Sequence, residues 1–177
     1  EATGATVNIS GGTVGQDFDA FRNSIVNISG GSTGDHFDAF NGSQVNISGG
    51  TVGNSFDAHS GSIVNITGGA VGGTFAANQG STVNISGGAV GSVFGVNVGA
   101  IANLSGGHIG SSCHVYGGTA TISGGWIDSG ASTIEGSLIN ISGGMIDKNF
   151  TIFSGAVVNI SGGAIGDELD SRTGSSL

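Results

Sequence analysis

Apolar and polar positions in this chain alternate in short bursts, and the bursts return at a constant interval. In Val26-Asn27-Ile28-Ser29 the apolar side chains point one way and the polar ones the other, the period of two that marks a half-buried strand. The hydroxyl residue of successive copies falls at Ser10, Ser29, Ser48, Thr67, Ser86, Ser105, Ser123, Ser142 and Ser161. The interval is therefore 19 residues throughout, except for 18 between Ser105 and Ser123. A short and constant period predicts one supersecondary unit stacked on itself.

Each unit divides into three extended stretches separated by glycine. The first carries the inward columns Val7, Val26, Val45, Val64, Val83 and Ile9, Ile28, Ile47, Ile66, Ile85. After the Gly-Gly corner a second stretch offers one inward residue, at Val14, Val52, Val71, Val90, Ile109, Ile127, Ile146 and Ile165. The third is Phe-x-Ala, which predicts Phe18, Phe37, Phe56, Phe75 and Phe94 stacked one above another, with Ala20, Ala39, Ala58 and Ala77 making room for the rings. Cys113 and Ala131 then occupy the Phe column, and Phe150 and Leu169 are expected to restore its bulk. The three glycine corners, among them Gly15, Gly34 and Gly53, are expected to take positive φ, where glycine has no Cβ penalty. Such frequent corners leave no room for helix. The fold expected is all-β: a three-sided parallel β-solenoid of about nine 19-residue coils, forming a single domain over residues 1–177. Gly4 is in register with Asn23 and Gly42, so Glu1 begins partway through a coil. Together with bare terminal edges, that suggests a segment of a longer chain.

Composition narrows the function classes. Glycine numbers 38, proline is absent, and 8% of residues are charged. The regular columns of Val, Ile and Phe give the chain a core to bury, which argues against disorder. The 12 acidic residues outweigh Arg22, Lys148 and Arg172, leaving a net charge of -9. That balance works against DNA, RNA and anionic lipid, which need clustered Lys and Arg. Cys113 stands alone, so no internal disulfide forms. No apolar run approaches the ~18 residues of a membrane-spanning helix. Low charge, scarce Lys and abundant Gly, Ser, Thr and Asn fit an extracellular or cell-surface protein.

In a stacked fold every outward position becomes a ladder, so candidate chemistry is sought by column. Asn8, Asn27, Asn46, Asn65, Asn84 and Asn103 form the most regular one, beside Ser29, Ser48 and their equivalents. Amides repeating along a parallel stack can bond one another; the same face is also a polar lattice for sugars or ice. Ile25, Gln44, Ile63, Thr82, Ile101, Thr119, Leu138 and Val157 flank it as an outward column that a second copy or an adjoining domain would cover. Asp19, Asp38 and Asp57 fall on consecutive coils, about one strand spacing (~5 Å) apart. Like charges so close raise one another's proton affinity, or hold a calcium ion through oxygen ligands. Their spacing also matches the paired carboxylates of retaining glycosidases. His36, His59 and Arg22 lie nearby, which makes these six residues the catalytic set of an enzyme reading. A solvated acidic edge that keeps the rod soluble is the plainer alternative. Phe21 and Phe40 lead a further column through His59, Asn78, Asn97 and Tyr116, an aromatic platform for sugar rings if it points outward.

Through its Val-Asn-Ile-Ser-Gly-Gly and Phe-Asp-Ala repeats, the whole chain resembles the β-solenoid repeat regions of secreted or surface bacterial proteins, the pectate-lyase-like parallel β-helices. That resemblance implies contact with carbohydrate or a surface outside the cell. Enzymes of that architecture pair acidic calcium ligands with a basic residue, or aspartates with a nearby His. The Asp ladder with His36, His59 and Arg22 matches them in part, while the order of their motifs is absent. Three functions follow as expectations. The first is an extracellular structural or binding module presenting its ladders to carbohydrate or to itself, without cofactor save calcium. The second is a polysaccharide lyase or glycoside hydrolase using the Asp ladder. The third is an ice-binding protein using the Asn/Ser face.

Overall fold

The computed structural model describes residues 4–177. The chain winds as a parallel β-solenoid of about nine turns, with no helix among the described residues. Each residue of a coil lies beside its equivalent in the next. On the first face Val26 pairs with both Val7 and Val45, and the register continues through Val64 and Val83 to Ala102. The second face is built from short strands such as Thr51–Val52 and Ala70–Val71, the third from Phe56–Ala58, Phe75–Ala77 and Phe94–Val96. In the last coils the strands run through the corners, as in Leu138–Ile152 and Val157–Ser171. The 18-residue coil loses its residue at the return corner, where Tyr116-Gly117-Gly118 replaces Asn97-Val98-Gly99-Ala100 and Thr119 still pairs with Ile101.

The inward columns form one continuous core. Phe37 and Phe56 stack with ring centroids 4.8 Å apart and planes 4° apart, and Phe56 and Phe75 at 4.7 Å and 7°. Beneath Phe94 the stack breaks at Cys113 and Ala131, both buried, and Phe150 fills the column again. The lost volume leaves a void of about 10 Å³ lined by residues such as Phe94, Ala102, Cys113 and Ala120. Apolar and no larger than one water, it is a packing defect rather than a ligand site. Leu169 departs from expectation. It pairs with Phe150 but stays exposed, because no described coil stacks over the last one. A serine column that the hydropathy pattern does not reveal lines the return corner: Ser24, Ser43, Ser62 and Ser81 are buried. Ser24 and Ser62 each donate to a carbonyl three residues earlier, at 2.6 Å.

The corners correct the glycine argument. Two glycine columns do take positive φ, as at Gly50 (73°) and Gly61 (75°). The column Gly15, Gly34, Gly53 does not. At Gly34 and Gly53 the backbones of successive coils approach too closely for any side chain: a Cβ on Gly53 would lie 2.5 Å from the carbonyl carbon of Gly34. The left-handed residue of this corner sits two positions later and is usually not glycine, as at Asp17, His36, Ser55, Thr74, Val93 and Ser112. Val93, at φ 69°, is β-branched and half-exposed, so it holds this conformation against its own preference.

Two substitutions separate close approach from backbone strain. Gly53→Ala, at an ordinary φ, should destabilise the fold by about 1–3 kcal/mol through overpacking. Val93→Gly should stabilise it by about 1 kcal/mol by removing the left-handed penalty. Urea unfolding of both variants beside the parent checks the signs, which are opposite although both sites lie on one type of corner.

Candidate functional site

On the third face the strands Asp19–Ala20, Asp38–Ala39 and Phe56–Ala58 hold the three aspartates in register, Asp19 beside Asp38 and Asp38 beside Asp57. Phe and Ala on either side point inward, so each carboxylate points out. Two of the three are engaged with the next coil. Asp57 accepts a hydrogen bond from Asn78 Nδ2 at 3.1 Å. Asp38 Oδ1 lies 3.3 Å from His59 Nε2, close enough for an ion pair but outside hydrogen-bond geometry, which leaves that nitrogen without a partner. Burial, and then the neighbouring Asp38 charge, hold the Asp19 carboxyl above its ordinary range, against a backbone amide of Asp38 that works the other way. The other members of the sequence-derived set do not join them. His36 occupies an exposed left-handed corner at φ 60°. Arg22 is exposed on the return corner and makes no ion pair with the three aspartates among the described residues. Among those residues no group of three or more His, Cys, Asp or Glu side chains converges to hold a metal ion.

The aromatic column beside the acidic ladder is also stacked along the rod. Phe21 and Phe40 lie 5.4 Å apart at 12°, and Phe40 and His59 4.8 Å apart at 3°. Rings packed this way cover one another's faces and show solvent their edges. The column continues as amides, with Asn97 donating to Asn78 at 2.8 Å.

On the first face, Asn27 donates to Asn8 and Asn46 to Asn27 at 2.8 Å, and Asn65, Asn84 and Asn103 continue the chain at 2.9 Å. Thr121 interrupts it, and Asn159 donates to Asn140 beyond the break. Each interior amide of the first run, from Asn27 to Asn84, thus spends a donor and an acceptor on its neighbours. In the adjoining column Ser29 and Ser48 are both exposed, and Ser48 Oγ reaches the Ile28 carbonyl at 3.5 Å. Ile25, Ile63, Ile101 and Val157 point outward as expected, each about two-fifths exposed.

A cluster on the second face escapes the repeat-by-repeat reading. The outward column there is Thr51, Ala70, Ala89, His108, Trp126, Met145, Ala164, small except for the three coils of His108, Trp126 and Met145. Trp126, the single tryptophan of the chain, is 46% exposed. The His108 ring lies 5.6 Å away, tilted by 53°, and His108 Nε2 is 2.7 Å from Asp128 Oδ1. The signal available in sequence was the departure from the column's small residues. Cys113, by contrast, is inert: burial pushes its thiol up to about 12.

No family model matches this chain, and no curated protein matches it. Among solved structures it is similar to the TibC-catalysed, hyper-glycosylated TibA fragment, at 16% identity over 98% of this chain and 97% of the other, with a TM-score of 0.32.

The Asp19 environment sets a pH dependence. A carboxyl that binds its proton more tightly when folded lowers stability as pH rises through its titration, and the penalty is complete at neutral pH. Asp19→Asn should therefore stabilise the fold near pH 7, by less than about 1 kcal/mol because solvent screens the group. At about pH 3, where the carboxyl is protonated in both states, the gain should vanish. Denaturant titrations at the two pH values check both halves.

Proposed function

We propose that this chain is a non-catalytic β-solenoid module of a secreted or surface protein, a rigid rod whose outward ladders bind saccharide or another copy of the rod. The observation that carries this reading is how fully the ladders are spent on themselves. Asn bonds Asn, Asp57 accepts from Asn78, Asp38 faces His59, and the phenylalanine rings cover one another. Side chains held in that way stiffen a rod and are poor at turning over a substrate. Low charge and abundant small polar residues support an extracellular setting, bacterial by the resemblance of the repeat. No helix among the described residues is long and apolar enough to cross a membrane.

Saccharide contact on this reading falls on Trp126. An exposed indole offers an apolar face for the C–H groups of a pyranose ring, with its N–H as a polar handle. His108 and Asp128, already set against each other at 2.7 Å, supply a donor and an acceptor for ring hydroxyls. The net charge of -9 favours neutral sugars over uronic acids. The enzyme reading keeps one observation in its favour, the approach of His59 to Asp38.

Because Trp126 is the sole tryptophan, its fluorescence reports this site alone. Titration with neutral gluco-oligosaccharides should give a saturable change in the millimolar range, some −4 kcal/mol. Galacturonate oligomers should give none, and Asp128→Ala should weaken the response several-fold. Silence toward every neutral oligosaccharide would remove saccharide binding from the proposal. Hydrolysis or eliminative cleavage of either substrate, abolished in Asp38→Asn, would replace the module with an enzyme.

A further inference from the structure

The outward column beside the asparagine ladder has a pattern of its own. It runs Thr6, Ile25, Gln44, Ile63, Thr82, Ile101, Thr119, one residue per coil in unbroken register. Isoleucine occupies every second position; Ile25, Ile63 and Ile101 are 39%, 43% and 44% exposed, while Gln44, Thr82 and Thr119 are half-buried between them. The ladder is a row of apolar ridges about 9.6 Å apart, two strand spacings, with lower polar gaps between. Leu138 and Val157 extend it.

The face that bears this column is also free of charge. Its three outward columns, running beside one another from Thr6, Asn8 and Ser10 to Val157, Asn159 and Ser161, contain none of the 12 acidic residues and none of the three basic ones. Two copies each carrying a net charge of -9 repel wherever their acidic residues meet, and this face lets them approach without that contact.

We propose that the first face is the contact between two copies of this chain, laid antiparallel, with the isoleucine ridges of each seated in the threonine and glutamine gaps of the other. Symmetry selects the direction. A two-fold axis parallel to the rods sets every coil against the same coil of its partner, so isoleucine would meet isoleucine. Shifting such a pair by one coil destroys closure and leaves an open chain of copies. A two-fold perpendicular to the rods, passing between Ile63 and Thr82, closes the pair and interleaves it. Ile63 then faces the partner's Thr82, Ile101 the partner's Gln44, Ile25 the partner's Thr119, and Leu138 the partner's Thr6.

The available area is adequate. Nine coils by three outward columns cover about 43 by 20 Å, close to the ~800 Å² per partner of a standard stable interface. Covering the asparagine ladder costs less than its composition suggests, since Asn27, Asn46, Asn65, Asn84 and Asn103 each already donate to a neighbour at 2.8–2.9 Å. The inference rests on the reading of the chain as a self-supporting module and is independent of saccharide at Trp126, which lies on another face.

Light scattering on the full chain at about 100 µM, a hundredfold above a micromolar Kd, should give twice the monomer mass. Ile63→Lys should return the monomer mass with an unchanged circular dichroism spectrum, because the side chain it replaces is exposed. Orientation is read by disulfide trapping, in which the buried Cys113 takes no part. Mixed Ile63→Cys and Thr82→Cys chains should cross-link with each other in preference to themselves. A monomeric parent chain, a dimer that survives Ile63→Lys, or Ile63→Cys chains that link chiefly to themselves would each overturn the proposal. The Trp126 fluorescence titration, repeated on Ile63→Lys, should be unaltered, so loss of the dimer and loss of the saccharide site are told apart.

Discussion

Register is the constraint on which everything else in this molecule depends. A coil of 19 residues brings each side chain over its own equivalent, and the parallel ladders then satisfy backbone and apolar groups together. One coil alone buries too little apolar surface to offset the entropy of ordering its residues. Stability therefore belongs to the stack, where Phe37, Phe56 and Phe75 lie ring on ring. Where a coil loses one residue, the loss falls at the return corner and the strands on either side keep their pairing. A deletion inside a strand would instead have turned its inward side chains to the outside.

The same stacking makes the corners the tightest points of the fold. Neighbouring coils meet there backbone to backbone, and at Gly53 there is no space for a methyl group. Glycine in this chain thus answers two needs. At Gly61 it permits positive φ, at Gly34 and Gly53 it permits contact, and at Gly50 it does both. The positive φ of the Gly34 and Gly53 corner falls on Asp17, His36 or Val93 instead, residues held in it by the coil stacked against them.

The fold could be read from the sequence because it is repetitive: a column of Val, Ile or Phe states its direction in coil after coil. The corners could not, since the glycine columns look alike in sequence whatever their φ. The buried serines were hidden for a related reason. Ser43 and Ser81 are polar by composition and are carried inside by a small-residue requirement that hydropathy does not express. Site chemistry was legible only in part. The alignment of Asp19, Asp38 and Asp57 followed from spacing, but their commitments to His59 and Asn78 depend on side-chain reach into the next coil. His36 and Arg22 are close to the ladder in sequence, but His36 sits on a left-handed corner and Arg22 is exposed on the return corner.

Repetition also limits what such a chain can do, and this bears on where its individual character lies. A residue flanked by copies of itself is drawn into bonding or stacking with them, as Asn65 and Phe56 are. Its chemistry is spent on the rod. Distinct chemistry requires a position whose neighbours differ from it, and the breaks in this chain gather in adjoining coils. Cys113 and Ala131 interrupt the phenylalanines, Thr121 interrupts the asparagines, and Trp126 stands between His108 and Met145. Those coils give up some packing, marked by the void beside Ala102 and Ala120, and gain an exposed indole with a paired histidine and carboxylate. The alternating isoleucine column departs from uniformity in a milder way, by a period of two coils rather than one. A uniform ladder could bind a partner in any register; alternation admits only every second one, which is what a discrete pair of molecules requires.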